Sequence, residues 1–316
     1  MKTYFRLPHL FLFLFLSFCS FILAQEKPST LKVENRLFQL KGFSPIYYYS
    51  ENREDRARKI AEFTEEAIQF YQQEIGFTPK TVFYVLAPED WKQFAALPMK
   101  EFYGFPHNID SVHLALASDD NPYWKSFIPP MDQLPPALAK QFKLAYGVGE
   151  NEFSMKPFFD LLAIHEMGHS YTSQAGLNTQ RHWMEELYVN IMQHTFVAEK
   201  HPELLAALET FPNMVVGAGS ENSEFTSLSD FERLYKSMGM SPQNYGWYQC
   251  HFHTAAKNIY NAGGKEVWKD LWKVFKKYQK PLSDAEFIEI LKKEVHESVA
   301  NFYINWAETS KPTEIN

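Results

Sequence analysis

The chain has 316 residues, a hydrophobic content of 45% and a formal net charge of −7. This length and hydrophobic content are enough for a large core, or for two lobes that share one cleft. The acidic balance comes without a basic patch, which excludes nucleic acid as a partner.

Residues 1–24 have the form of a signal peptide. Two basic residues precede the apolar run from Leu10 to Ala24, which is about fifteen residues long where a membrane span needs about twenty. An uncleaved membrane anchor is the alternative. Removal of the signal takes Cys19 with it and leaves Cys250 alone, so we expect no internal disulfide. We expect an exported protein, periplasmic or secreted, with no stable membrane span after signal removal.

The chain from residue 25 to 146 predicts a mixture of strands and helices. Apolar residues at three- and four-residue spacing predict a helix over Arg56–Ile75 that ends at Gly76. The other predicted elements are strands and turns over 25–50, a buried strand over Thr81–Ala87, a short helix from Pro88, a strand over Val112–Ala117, a Pro-rich loop over Asp119–Pro136 and a helix over Pro136–Tyr146. We expect Val112–Ala117 to be the edge strand, to which an extended peptide could add over His113–Ala117.

The motif His165-Glu166-Met167-Gly168-His169 follows on a predicted helix. Residues four apart lie on one face of a helix, so His165 and His169 can bind one metal ion. Glu166 stands between them, where its carboxylate can take a proton from a water molecule on that ion. The motif therefore predicts a zinc hydrolase, with Zn²⁺ as its cofactor.

A third ligand is needed, because a catalytic zinc takes three protein groups and leaves one position for water. We choose Glu186, near the start of the next predicted helix, with Glu185 as the alternative. Asn190 lies four residues after Glu186 on the same helix face, where it could hydrogen-bond a ligating His and hold its tautomer. The class with three His ligands is excluded, because Thr172 and Ala175 stand where its Gly and third His would be.

Beyond the motif helix the chain is almost wholly helical in its pattern. The predicted helices cover 183–200, 203–210, 228–238, 246–262, 265–278 and 284–307, with a surface loop over Phe211–Ser227 that could border the cleft. The predicted fold class is α+β. An N-terminal mixed α/β lobe, residues 25–180, places its sheet over the motif helix, and an α-helical C-terminal lobe, residues 181–316, supplies the third zinc ligand.

Two His on one helix and a Glu on the next resemble the arrangement of the gluzincin zinc metallopeptidases. The segment Trp183 to Glu186 is similar to the Trp-x-x-Glu segment of their zinc aminopeptidase branch. In that branch a Tyr opens a helix that ends in a Gly about fifteen residues later, and here Tyr248 stands fifteen positions before Gly263. The resemblance implies a gluzincin-like catalytic domain in which Tyr248 donates its hydroxyl to the oxyanion. His251 replaces the Gly that usually follows this Tyr by three positions, so either residue could be that donor.

Two departures from the family bear on the reaction. The third-ligand Glu usually stands two positions farther from the second His than Glu186 does, which a shorter connecting loop would explain. The Gly-x-Met-x-Asn motif, which seats a free amino terminus in the aminopeptidase branch, has no counterpart here. We therefore expect an endopeptidase, and Asp119 or Asp120 would be the anchor if the protein removed amino-terminal residues instead.

The residues together predict an exported zinc-dependent metallopeptidase that hydrolyses a peptide or protein substrate, with Glu166 as general base. The alternative is a non-catalytic exported binding protein, in which the zinc is structural and aromatic residues, 16% of the chain, line a cleft. A structural zinc is closed by a fourth protein ligand, whereas this sequence keeps Glu166 where a catalytic base belongs. Glu166 therefore favours catalysis.

Overall fold

The computed structural model describes residues 36–96, 99–150, 152–237 and 239–306. The predicted signal peptide lies outside these residues. The described residues form a five-stranded mixed sheet and a larger set of helices, which confirms the predicted α+β class. None of the described helices combines the length and the apolar character needed to pass through a membrane.

The sheet is built from the first part of the described chain. Its strands are β1 (Phe38–Leu40), β2 (Ile46–Tyr49), β3 (Val82–Leu86), β4 (His107–Asn108) and β5 (His113–Ala117), in the spatial order β1-β2-β3-β5-β4. The strands β2, β3 and β5 run parallel, whereas β1 and β4 pair antiparallel at the two edges. β3 is buried along its whole length, as expected of a central parallel strand covered on both faces.

The strand predicted over Val112–Ala117 is present as β5, but the prediction that it lies at the edge of the sheet is wrong. β5 lies between β3 and β4, and β4 covers its free side at Leu114 and Ala115. At Leu114 and Ala115 a peptide therefore finds no free side of β5 to which it could add. β4 has two residues, too few to produce a period-two pattern, which is why the sequence did not indicate it.

The helices lie around and beyond the sheet. They are α1 (Glu54–Ile75), α2 (Pro88–Phe94), α3 (Pro122–Lys125), α4 (Pro136–Tyr146), α5 (Lys156–Gln174), α6 (His182–Lys200), α7 (Leu205–Gly217), α8 (Leu228–Leu234), α9 (Pro242–Gly263), α10 (Glu266–Lys277), α11 (Asp284–Ile290) and α12 (Glu297–Ile304). α1 ends as predicted at Gly76, whose φ of 68° is the left-handed conformation that favours Gly. α5, which carries the motif, packs against β4 and β5, so the sheet lies over the motif helix as predicted.

α7 continues past Pro212 and ends at Gly217, so it occupies the first part of the predicted loop over Phe211–Ser227. Proline lacks an N–H and crowds the preceding turn, which normally ends a helix. The hydroxyl of Tyr146 donates to the carbonyl of Ala207 at 2.7 Å and accepts from the N–H of Phe211 at 3.2 Å. This hydroxyl bridges the turn ahead of the proline, and it comes from α4, a contact that the local pattern does not contain.

The predicted helix over 284–307 is divided into α11, a π-helical turn over Leu291–Val295 and α12, while residue 307 lies outside the described chain. His296 interrupts the helix with an extended φ of −161°, and its ring accepts the N–H of Ser298 at 3.2 Å. The ring fits against Gly263, where a Cβ atom would lie 3.0 Å from it. Packing of the ring on another helix therefore stabilises the break.

Gly168 sets how closely α5 and α6 approach. A Cβ atom at Gly168 would lie 2.8 Å from Cβ and 2.9 Å from Cγ1 of Val189, well inside the normal carbon–carbon contact of about 3.5–4.0 Å. α9 packs along the length of α6. The layers α5, α6 and α9 position the side chains of the candidate site.

Candidate metal centre

Two imidazoles lie one turn apart on α5. The ring centroids of His165 and His169 are 5.1 Å apart, as the spacing of the motif predicts. His165 is 5% exposed, whereas His169 and Glu166 are both partly exposed. The first imidazole is therefore buried, whereas the residues of the second imidazole and of the intervening carboxylate keep a small exposed surface.

Glu186 on α6 completes a group of three. Its Oε2 lies 3.3 Å from Nε2 of His165 and 3.7 Å from Nε2 of His169. One ligand atom from each of these residues lies within 4.8 Å of the other two, so the three side chains could hold a metal ion. The structure thus brings together the three residues that the sequence singled out as ligands.

The other nitrogen of each imidazole has its own partner. Nδ1 of His165 lies 3.1 Å from Oδ1 of Asn190, and Nδ1 of His169 lies 3.4 Å from Oε1 of Glu185. Thr172 donates to the same Glu185 oxygen at 2.8 Å. Since carboxylate and amide oxygens only accept, both imidazoles donate from Nδ1, which leaves Nε2 as the nitrogen that faces Glu186 and could bind a metal.

Asn190 is therefore placed as expected, behind a His. Glu185, the alternative ligand, stands behind the other His, on the side of the ring away from Glu186. We did not expect this role of Glu185 from the sequence. Its position one residue before Glu186 was the available signal, because neighbouring helical positions point about 100° apart and so face different atoms.

Three further side chains lie within hydrogen-bonding distance of the carboxylate of Glu186. Tyr235 donates to Oε1 at 2.5 Å, and the Tyr245 hydroxyl lies 3.3 Å from the same oxygen. Gln249 donates to Oε2 at 2.8 Å and to the hydroxyl of Tyr245 at 2.8 Å. The amide of Asn190 donates to the Gln249 side chain at 3.2 Å. This network fixes the orientation of the candidate third ligand, a condition for a well-defined metal site.

The charges of the site act on one another. Burial by itself would lower the pKa of His169, but the facing carboxylates of Glu186 and Glu185 outweigh it and raise that pKa to about 10. Burial likewise opposes ionisation of Glu186, yet His169 and His165 hold its pKa well below the usual range. Burial raises the pKa of Glu166, and the two imidazoles only partly offset this. The group of three therefore favours a positive charge at its centre.

The donor set fits a zinc ion. Two neutral imidazole nitrogens and one carboxylate oxygen form a ligand set of catalytic zinc sites, which leave a further position for water. A cation among these three atoms would take the place of the proton that the carboxylates favour on His169. Glu166 belongs to neither the three ligands nor the groups behind them, so its carboxylate is available for proton transfer.

Tyr248 and His251 are not part of the site. Tyr248 has no exposed surface, and its hydroxyl donates to the carbonyl of Ser227 at 2.8 Å. His251 lies against the ring of Trp247, with centroids 4.1 Å apart, and is 4% exposed. The structure does not bring either residue to the candidate ligands, because α9 turns both toward the packing of Trp247 and Trp306.

Tyr245 occupies the face of α9 that meets the candidate metal ligands. Its hydroxyl reaches Glu186, and its side chain is partly exposed. Burial raises its pKa well above 10, and the charges of Glu186 and Glu166 raise it further, so the phenol stays protonated at neutral pH. Sequence reasoning missed it, although Tyr245 and Gln249 form an i, i+4 polar pair on one helix face, which was the available signal.

Asp119 and Asp120 lie just after β5. Asp119 is bound by two nitrogens of the Arg53 guanidinium, at 2.8 and 2.9 Å. Asp120 accepts the N–H of Asn121 at 2.9 Å. The charge of Asp119 is therefore already compensated, which makes it a poor anchor for a substrate ammonium group.

Comparison of the chain with protein-family models, with curated proteins and with solved structures gives no match.

Proposed function

We propose that the protein is a zinc-dependent metallopeptidase of the gluzincin type. One observation carries the proposal: Glu186 reaches Nε2 of both motif imidazoles, at 3.3 and 3.7 Å, while the motif's own Glu166 remains outside the ligand group. A site of this kind combines three protein ligands with a separate carboxylate base, as metal-assisted hydrolysis requires.

Each side chain has a role in this proposal. His165, His169 and Glu186 hold the zinc, which when bound polarises the scissile carbonyl and lowers the pKa of the attacking water. Glu166 takes the proton of that water and passes it to the departing amine nitrogen. Asn190 and Glu185 keep the imidazoles in the tautomer that leaves Nε2 free, through the contacts at 3.1 and 3.4 Å.

Tyr245 takes the place that we expected for Tyr248. Its protonated phenol, next to Glu186 and close enough to Glu166 to sense its charge, can donate to the oxygen of the scissile carbonyl as negative charge develops there. Loss of one such donor typically lowers the rate about a hundredfold to a thousandfold.

The substrate in this proposal is a peptide or protein, cut at internal bonds. The pairing of Asp119 with Arg53 supports internal cleavage, because it leaves that carboxylate without a free charge for a substrate amino terminus. The signal-like form of residues 1–24 supports export as part of the proposal. The alternative of a binding protein with a structural zinc has less support, because the metal-binding group in the described residues has three members and a closed zinc site has four.

Metal analysis and peptide cleavage test the proposal together. The purified mature protein should contain about one zinc per chain, and it should cut a denatured protein substrate in a reaction that a zinc chelator stops. Glu166→Gln should keep the zinc, because Glu166 is not a ligand, and should lose nearly all cleavage. If the parent binds zinc but cuts no faster than Glu166→Gln, the protein is not a peptidase of this mechanism.

A further inference from the structure

The edge strand β4 contacts the general base of the proposed reaction. Nδ2 of Asn108 donates to the backbone carbonyl of Glu166 at 2.8 Å and to Oε2 of the Glu166 side chain at 3.1 Å. The two residues are 58 positions apart in the chain. One amide group therefore holds both the main chain and the side chain of Glu166.

The backbone contact fixes which way the Asn108 amide faces. A carbonyl oxygen only accepts, so the group at 2.8 Å from it must be the NH₂ of the amide and not its oxygen. Because the same NH₂ group faces Oε2, that carboxylate oxygen must accept as well. A proton on Oε2 would meet a donor, whereas a proton on Oε1 would not.

The strand itself is held in place independently of Glu166. The ring of His107 accepts the N–H of Ala96 at 2.9 Å and donates to the carbonyl of Phe105 at 2.8 Å. Asn108 is paired with Leu114 of β5. The amide is therefore presented to Glu166 by a fixed backbone, so the contact can orient the carboxylate instead of following it.

We infer that Asn108 is a positioning residue for Glu166: it holds Oε2 as an acceptor and leaves Oε1 as the oxygen that takes the proton from water. The inference rests on the proposed function, since it concerns the general base of that reaction. Asn108 acts through Glu166 and needs no contact with the zinc ligands.

Two substitutions separate hydrogen-bond donation from shape. Asn108→Ala removes the donor, and the loss of a hydrogen bond to a charged group predicts a fall in kcat of about tenfold to a hundredfold. Asn108→Asp keeps the shape but places an acceptor against two acceptors, so at pH 8 it should lower kcat further than Asn108→Ala. In both variants KM and zinc content should stay near the parent values.

A double variant with Glu166→Gln tests whether the effect passes through the base. Asn108→Ala should add almost nothing to the loss caused by Glu166→Gln, because the carboxylate that it positions is already gone. Ser111→Ala is the control for disturbance of the β4–β5 hairpin, since its side chain is exposed and it should behave as the parent.

An infrared measurement on the zinc-free protein gives a readout that is independent of hydrolysis. The carboxylate band of Glu166 is obtained by subtracting the spectrum of Glu166→Gln from that of the parent. The same subtraction between Asn108→Ala and the double variant should give a shifted band. An unshifted band, an unchanged kcat in Asn108→Ala, or an Asn108→Asp variant as active as the parent would each overturn the inference. A parent protein that cuts no peptide would overturn the proposed function, and the band would still report separately on the contact.

Discussion

Gly168→Ala should weaken zinc binding although residue 168 is not a ligand. The added Cβ would lie 2.8 Å from Cβ of Val189, about 1 Å short of a normal contact between aliphatic carbons. Both atoms belong to helices, so relief requires α5 and α6 to move apart or to rotate. His165 and His169 lie on α5 and Glu186 lies on α6, so the same movement separates the ligands.

The expected loss of zinc affinity follows from how little the ligand distances of a zinc site can vary. Ligand distances in such sites hold within about 0.2 Å, so a displacement of several tenths of an ångström between the two helices exceeds it. We expect zinc affinity to fall at least tenfold. Overpacking of this kind also costs about 1–3 kcal/mol of folding stability, which lowers Tm by about 2–4 °C for each kcal/mol in a chain of this size.

Chelator competition measures the zinc affinity, and thermal unfolding of the zinc-free protein measures the stability. Gly246→Ala is the matched control, because a Cβ atom there meets no atom within 4 Å, and it should bind zinc as the parent does. Val189→Gly removes the atoms that the added methyl group would meet. The double variant Gly168→Ala with Val189→Gly should therefore recover most of the zinc affinity. Parent-like zinc affinity and Tm in Gly168→Ala would refute the argument that close helix approach sets the site.

Three further predictions test individual side chains. Tyr245→Phe should lower kcat about a hundredfold to a thousandfold, whereas Tyr248→Phe should leave kcat unchanged. Steady-state kinetics of the two variants shows which phenol acts in the reaction, and the reverse result would restore the role that the sequence predicted for Tyr248. Glu186→Ala should lose zinc, whereas Glu185→Ala should keep one zinc per chain with an affinity lowered about tenfold to a hundredfold; equal losses in both would contradict the assignment of ligand and support. Burial lowers the pKa of His251 to about 4. Below about pH 6.5 the unfolded chain therefore takes up a proton that the folded protein excludes. As the pH falls from about 6.5 toward 4, the free energy of unfolding should decrease by about 3 kcal/mol. His251→Phe should remove this part of the acid sensitivity in urea unfolding of the zinc-free protein and should leave cleavage unchanged, and an unaltered pH dependence would show that His251 does not cause it.

The sequence by itself determined the candidate metal-binding residues. The positions of His165 and His169 follow from helical periodicity alone, because residues four apart on a helix share a face in any fold. Glu186 and Asn190 are related in the same way on α6, so the choice of Glu186 as ligand also selected its supporting amide. The α+β class followed from strand-like runs before the motif and helical runs after it.

The tertiary structure decided what meets those ligands. Periodicity gives the angle between Tyr245 and Tyr248 on α9, but it does not give the rotation of α9 about its own axis. That rotation depends on how the whole surface of α9 packs against α6 and against the rings near Trp306. A three-residue step turns a side chain by about 60°, enough to move a phenol from the site into the core. The contact between Asn108 and Glu166 likewise depends on a two-residue strand, and so short a strand has a place in the sheet only because β5 and the ring of His107 hold it there.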